Sequence, residues 1–154
     1  MALQIHWHVG PRSGLRPLFE LADDSQSLLD DYIDQGRVLV AVSGPETVGH
    51  LQLVPTGRPG EIELKNMAVA ADRQGTGVGR ALVAAALDRS TAEGWRRMLV
   101  GTGAADVGTL RFYQRLGFRM LSVERDAFTA ATGYPDPIVV DGIPLLDRVW
   151  LSQD

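Results

Sequence analysis

Gln74-Gly75-Thr76-Gly77-Val78-Gly79-Arg80 stands between a strand-like run, Glu61 to Val69, and an alanine-rich run that begins at Val78. A glycine-rich turn that opens a helix leaves the first amides of that helix without intrachain acceptors, and the helix dipole adds positive potential there. Glycines also let an anion approach those amides closely, so the segment reads as a phosphate cradle. A tight, closely packed turn uses the same residues without any ligand, and spacing alone leaves both readings open. Neither NAD nor ATP is indicated. Counted from Gly75, the third glycine position of the dinucleotide pattern is Arg80, and the G-K-[ST] of the nucleotide P-loop is missing.

Upstream, Leu3 to Val9 alternates as a first strand with Ile5, Trp7 and Val9 on one face and His6 and His8 on the other. Helical spacing from Leu15 to Tyr32 is broken at Asp23-Asp24-Ser25, which predicts two helices. Arg37 to Val42 and Thr47 to Val54 flank Ser43-Gly44-Pro45-Glu46 as a hairpin, and Glu61 to Val69 adds a further strand. Downstream of the glycine loop, Arg97 to Thr102 is a short apolar strand. Strand, helix and strand between Glu61 and Thr102 therefore predict a parallel pair with a right-handed crossover. Asp106 is an N-cap for a helix from Val107 to Leu116, Gly117 stops it, and Phe118 to Val123 is the next strand. Ala127 to Pro144, rich in Gly, Pro and Asp, reads as loop before a last strand-like run from Leu145 to Leu151.

The chain has 154 residues, 45% hydrophobic and 22% charged, a balance that predicts one globular domain spanning 1–154. It contains no cysteine, which rules out disulfides, thiolate metal sites and a cysteine nucleophile. His6, His8 and His50 have no spacing that fixes a metal geometry, and no metal is predicted. A net charge of −4 without a basic stripe argues against nucleic acid as a partner. The N-terminal residues form no basic region followed by a long apolar run, and no window has the roughly eighteen apolar residues of a membrane span. The expectation is a cytoplasmic protein with no membrane partner.

Gln74-x-x-Gly77-x-Gly79 resembles the Q/R-x-x-G-x-G/A pyrophosphate loop of the GNAT superfamily of N-acyltransferases, and Phe112-Tyr113-Gln114-Arg115-Leu116-Gly117-Phe118 resembles its later F-Y-x-x-x-G-F segment. The resemblance covers about Val38 to Met120 and weakens from Leu121 onward. It implies a mixed α/β fold with a central twisted mixed sheet of six to seven strands and about four helices. It also implies acetyl-CoA as cosubstrate, its pyrophosphate on the amides of Gln74, Gly75, Thr76, Gly77, Val78, Gly79 and Arg80, and its pantetheine arm along the strand that ends in Met67, Ala68 and Val69. The implied reaction is direct acetyl transfer to a primary amine, small-molecule or peptide. A noncatalytic acyl-CoA sensor or interaction module is the alternative. Homodimers are common in the superfamily, with the Pro-rich tail as a candidate contact.

Two side chains are candidates for proton transfer. Glu63 lies where some GNAT members carry a glutamate base that acts through water, and by alternation it shares a face with Glu61, Lys65 and Met67; a plain ion pair with Lys65 is the competing reading. Tyr113 matches the tyrosine that protonates the leaving thiolate in many members, against the competing reading of a core tyrosine. A backbone N–H near Met67 to Val69 would serve the oxyanion. His50 and Gln52 fall on a polar strand face that either lines an acceptor pocket or is half-exposed. Glu124, Asp126, Asp136 and Asp141 make the C-terminal region acidic, which suits a cationic acceptor or a solvated loop.

Overall fold

Four strands run side by side in the first part of the chain: β1 (Leu3–Trp7), β2 (Arg37–Ser43), β3 (Glu46–Pro55) and β4 (Glu61–Val69). Each pairs antiparallel with the next, giving the order β1-β2-β3-β4. This is the meander that the turn residues predict. A computed structural model describes residues 2–154, and the chain divides into two units, Met1–Arg96 and Arg97–Asp154. The first strand stops at Trp7. Val9 is therefore not part of an inward face, and it is 89% exposed.

Helices α1 (Arg16–Ala22), α2 (Gln26–Tyr32) and α3 (Val78–Ala92) complete the first unit. Pro17 sits in the first turn of α1, where its missing N–H costs nothing. Ser25 caps α2 by accepting from the Leu28 amide at 3.3 Å, so the predicted interruption at Asp23 to Ser25 is a working helix start. Successive residues of a strand point to opposite faces, and Gly49 and His50 show which helices cover each face of β3. The His50 ring lies 4.2 Å from Phe19 of α1. A Cβ built on Gly49 would lie 3.1 Å from both Val78 and Leu82 of α3. The sheet of this unit is thus covered by α1 on one side and α3 on the other. On the α1 side, Leu15, Phe19, Leu29, Tyr32, Ile33, Val38 and Val40 form one buried cluster.

A β-bulge interrupts β4. Gln52 of β3 stands opposite Asn66 while its neighbour Leu53 stands opposite Leu64, so Lys65 is an extra residue. Alternation is reset there. Asn66 and Ala68 face the same way as Gln52 and His50, and Glu63 faces the same way as Val54, on that same α1 side. Met67, opposite Leu51, faces the α3 side. The expectation that Glu63 shares a face with Met67 is overturned, because plain alternation does not survive an inserted residue.

Between α1, α2 and the sheet lies a directional chain of hydrogen bonds. Asn66 Nδ2 donates to the Phe19 carbonyl (3.2 Å) and to the Tyr32 hydroxyl (2.9 Å), which fixes the amide orientation. Asn66 Oδ1 must then accept from His50 Nε2–H at 2.7 Å. The Tyr32 hydroxyl passes its own proton toward Asp23 Oδ2 at 2.6 Å. Gln52 Nε2 donates to the carbonyls of Tyr32 (2.8 Å) and Gln35 (3.0 Å), and Arg12 donates to those of Ile33, Gln35 and Gly36. Together they satisfy carbonyls that the end of α2 leaves open. His50 and Gln52 are each 0% exposed. The half-exposed polar face and the acceptor-pocket lining are both overturned for these two residues, which fasten helices to the sheet.

The second unit contains β5 (Arg97–Gly103), α4 (Val107–Arg115), β6 (Arg119–Glu124), the short hairpin strands β7 (Val139–Val140) and β8 (Ile143–Pro144), and β9 (Arg148–Gln153). β9 inserts between β5 and β6 and runs antiparallel to both. The stretch read as loop thus holds a small hairpin, turning at Asp141 and Gly142 with φ of 49° and 80°. The last strand begins at Arg148, three residues later than its apolar pattern suggests.

Burial pushes the His50 imidazole down to about 4, against the upward pull of its bond to Asn66. The fold therefore holds the neutral ring. Above pH 6.5 neither state takes the proton and nothing is lost. As pH falls from about 6.5 to about 4, the unfolded chain protonates while the fold refuses, and stability drops by about 1.4 kcal/mol per pH unit, about 3 kcal/mol in all. Below that window the loss stops growing. Urea denaturation across pH 7 to 4 checks this: His50→Gln, which retains a donor for Asn66, is expected to show a shallower decline than the native chain.

Candidate functional site

The glycine loop follows a short 3-10 turn, Ala71–Arg73, that continues from β4. Gly75 and Gly77 have φ of 77° and 93°, a left-handed backbone that side chains disfavour. A Cβ at either would meet nothing within 4 Å, so conformation and not crowding requires glycine there. Gly77 is the N-cap of α3 and offers no side-chain acceptor to the helix start. The first intrahelical bond is donated by Ala81 to the Gly77 carbonyl. Among the described residues no carbonyl or side chain accepts from the amides of Gly75 to Arg80. No acidic residue lies in the first turn of α3. A fifteen-residue helix thus directs open N–H groups and the positive end of its dipole into one exposed turn.

Two side chains hold that turn in shape. Gln74 Nε2 donates to the Val69 carbonyl at 3.1 Å, strapping the loop to the last residue of β4, and the Thr76 hydroxyl donates to the Arg73 carbonyl. The Gln74 side chain is therefore a brace for the turn, a role that spacing alone did not suggest. Arg80 is exposed in the first turn of the helix, and Arg73 lies 3.8 Å from Glu46.

Met67, Ala68 and Val69 form the end of β4 nearest this loop, opposite Leu51, His50 and Gly49. Four residues earlier, the bulge brings Glu63 and Lys65 together, with carboxylate and ammonium 3.9 Å apart. At that distance the pair is loose and partly solvated, worth a fraction of a kcal/mol to about 1 kcal/mol. The Lys65 ammonium also lies 4.9 Å from the centre of the Tyr32 ring. The ion pair with Lys65 that the sequence offered is thus present, while Tyr32, Asp23 and Asn66 add a linked polar group beside it that the sequence did not single out for the site. Their convergence depends on the bulge and on α2, and neither leaves a local signal.

In the second unit, Asp106 caps α4 by accepting from the Thr109 amide at 3.1 Å. The far end closes with Gly117 at φ 95°: its amide donates to the Gln114 carbonyl and that of Phe118 to the Tyr113 carbonyl, both at 3.1 Å. That bond pair is the Schellman motif, and its usual apolar contact is made by Phe118 against Tyr113, ring centres 5.5 Å apart. The Phe112-to-Phe118 segment is thus a helix-stop device that clamps Tyr113. The tyrosine is 5% exposed, with Phe112 edge-on at 5.1 Å. Burial first, and the Asp106 carboxylate second, push its hydroxyl well above the ordinary tyrosine range, so it keeps its proton throughout neutral pH.

Other candidates separate from these. Glu124 Oε1 accepts from Arg148 and from the Trp150 indole, both at 3.1 Å, and so belongs to a strand-face contact. Among the described residues no group of three or more His, Cys, Asp or Glu side chains is placed to hold a metal ion, and no helix is long and apolar enough to cross a membrane.

Residues 4–118 match the model of the acetyltransferase (GNAT) family. The chain is 34% identical over 140 residues to the uncharacterized N-acetyltransferase YvbK of Bacillus subtilis (strain 168), covering 91% of this chain and 88% of the relative. A GNAT family acetyltransferase from Elizabethkingia anophelis, solved with acetyl-CoA bound, superposes with a TM-score of 0.91 at 30% identity, over 99% of this chain and 97% of that one. A Bacillus subtilis acetyltransferase solved with CoA gives 0.90 at 32% identity, over 99% of each chain. The expected mixed α/β fold agrees with both. With the glycine loop at the start of α3 and the helix-stop segment around Tyr113, these matches place the chain in the GNAT acetyltransferase family.

Proposed function

We propose that this chain transfers an acetyl group from acetyl-CoA directly to a primary amine, acting as one acyltransferase domain over 1–154. The observation that carries the reading is the set of unpaired amides from Gly75 to Arg80, which suits the pyrophosphate of the coenzyme. Relatives solved with acetyl-CoA and CoA support the choice of ligand.

At pH 7 fewer than about one in 10³ molecules of an amine with pKa near 10.4 is the free base. Glu63, acting through water, takes the proton. The amine nitrogen then bonds to the thioester carbon, giving a tetrahedral oxyanion that a β4 amide between Met67 and Val69 stabilises. Collapse breaks the C–S bond, and the nitrogen, still carrying one proton more than the amide product, gives that proton up to solvent water. Tyr113, holding its proton by virtue of burial, donates to the sulfur as charge develops there. The leaving thiolate, whose conjugate thiol has a pKa near 8.5, is too weak a base to deprotonate such a tyrosine fully, so the hydroxyl acts first as a hydrogen-bond donor, and solvent supplies the proton that completes the thiol. The acceptor sits among polar groups contributed by the first unit, where Lys65, paired with Glu63, lies over the Tyr32 ring.

Three measurements follow. Thiol release from acetyl-CoA over amino acids, polyamines, aminoglycosides and peptide N-termini is expected to find an acceptor; saturable coenzyme binding without release on any amine identifies a sensor instead. Tyr113→Phe is expected to lower kcat about 10²-fold with coenzyme affinity unchanged, and Glu63→Gln to lower kcat/KM for the amine by a similar factor at pH 7, recovering as pH rises. Gly77→Ala, which forces a side chain into left-handed backbone at a cost of about 1–2 kcal/mol, is expected to weaken coenzyme binding about tenfold by calorimetry. Unchanged binding in that variant removes the loop from the site.

A further inference from the structure

β6 (Arg119–Glu124) ends its sheet: β9 pairs along one side, and no strand among the described residues pairs along the other. All six residues are exposed, including Met120 at 57%, Leu121 at 50% and Val123 at 61%. Open edges that carry apolar side chains are templates for pairing with another chain, and natural edges are commonly guarded by proline or by charges within the strand. Met120 to Val123 contain neither.

The register with β9 identifies what fits this edge. Arg119 stands opposite Ser152 and Met120 opposite Leu151, then Ser122, Val123 and Glu124 stand opposite Trp150, Val149 and Arg148. Leu121 is an extra residue, a β-bulge. Arg119, Ser122 and Glu124 therefore share the face that carries Trp150 and Arg148, while Met120 and Val123 share the other. In a regular strand Arg119 and Glu124, five positions apart, would face opposite ways.

We propose that β6 pairs antiparallel with β6 of a second copy of this chain, about a two-fold axis normal to the sheet, with Arg119 of each copy opposite Glu124 of the other. Such an axis returns each face to its own side, so only residues that share a face can stand opposite one another. The bulge meets that condition for both outer pairs. Arg119 and Glu124 join across the axis on one face, and Met120 and Val123 join on the other, each pair occurring twice. Glu124 makes both of its intrachain bonds through Oε1, and Arg119 makes no ion pair among the described residues. This complementarity is internal to a single strand, which selects a second copy over an unrelated partner. It places the contact on β6 and not on the Pro-rich segment that follows.

Light scattering after size exclusion at micromolar concentration tests the pairing. The native chain is expected at twice the mass of one chain. Arg119→Glu and Glu124→Arg, each bringing like charges opposite, are expected at one chain mass with dimer affinity weakened at least about tenfold. An equimolar mixture of the two is expected to recover the dimer, because both pairs in the mixed species are again of opposite sign. Should Glu124→Arg fail to fold through loss of its contacts with Arg148 and Trp150, Val123→Lys replaces it and is expected to be monomeric. A monomeric native chain, native-strength dimers in Arg119→Glu and Val123→Lys, or a mixture of folded variants that stays monomeric would each overturn the proposal.

Discussion

Amides that the fold does not pair with its own carbonyls are the feature on which the proposed acetyl transfer rests. A helix always leaves its first N–H groups open, and most helices spend them on a capping side chain or on water. Here the capping position is Gly77, left-handed and without a side chain, and the flanking Gly75 keeps the approach clear. The turn is nevertheless firm, because Gln74 ties it to Val69 and Thr76 ties it to Arg73. Open donors on a braced turn bind an anion without the cost of first ordering the loop. Family membership then says which anion to expect.

The remainder of the first unit supports the strand that leads into this loop. β4 is held by β3 on one edge, and on its α1 side by Asn66, whose amide joins His50, Phe19 and Tyr32 in one directional network. That network costs stability at low pH, since it keeps a histidine neutral in the interior. In return it fixes α1 and α2 against the sheet next to the bulge that turns Glu63 to the α1 side. The bulge at Lys65 in β4 and the one at Leu121 in β6 have the same physical effect: a single inserted residue changes which side chains share a face.

Much of this was legible in the residues, for local reasons. Glycines and prolines mark turns by their backbone limits, so β4 begins and ends where its flanking residues predict, and Ser25 and Asp106 mark helix starts by competing for backbone amides. The turn at the start of α3 was legible because glycine serves best at the left-handed positions 75 and 77, and the segment from Phe112 to Phe118 because a helix stop needs Gly117 followed by an apolar residue. What was not legible depends on distant partners. Nothing in Lys65-Asn66 announces an inserted residue, so Glu63 was assigned to the wrong face. His50 and Gln52 look like surface residues until the open carbonyls of α2 and the Asn66 amide are placed beside them. The insertion of β9 between β5 and β6 is a matter of sheet order, which alternation within a strand does not encode.

The most direct test follows backbone amides in solution. With the protein labelled with nitrogen-15, titration with CoA is expected to move the amide resonances of Gly75 through Arg80 saturably, with much smaller movements for the same coenzyme lacking its diphosphate. Saturable binding that leaves those six amides unmoved would contradict the claim that main-chain donors of this turn hold the ligand.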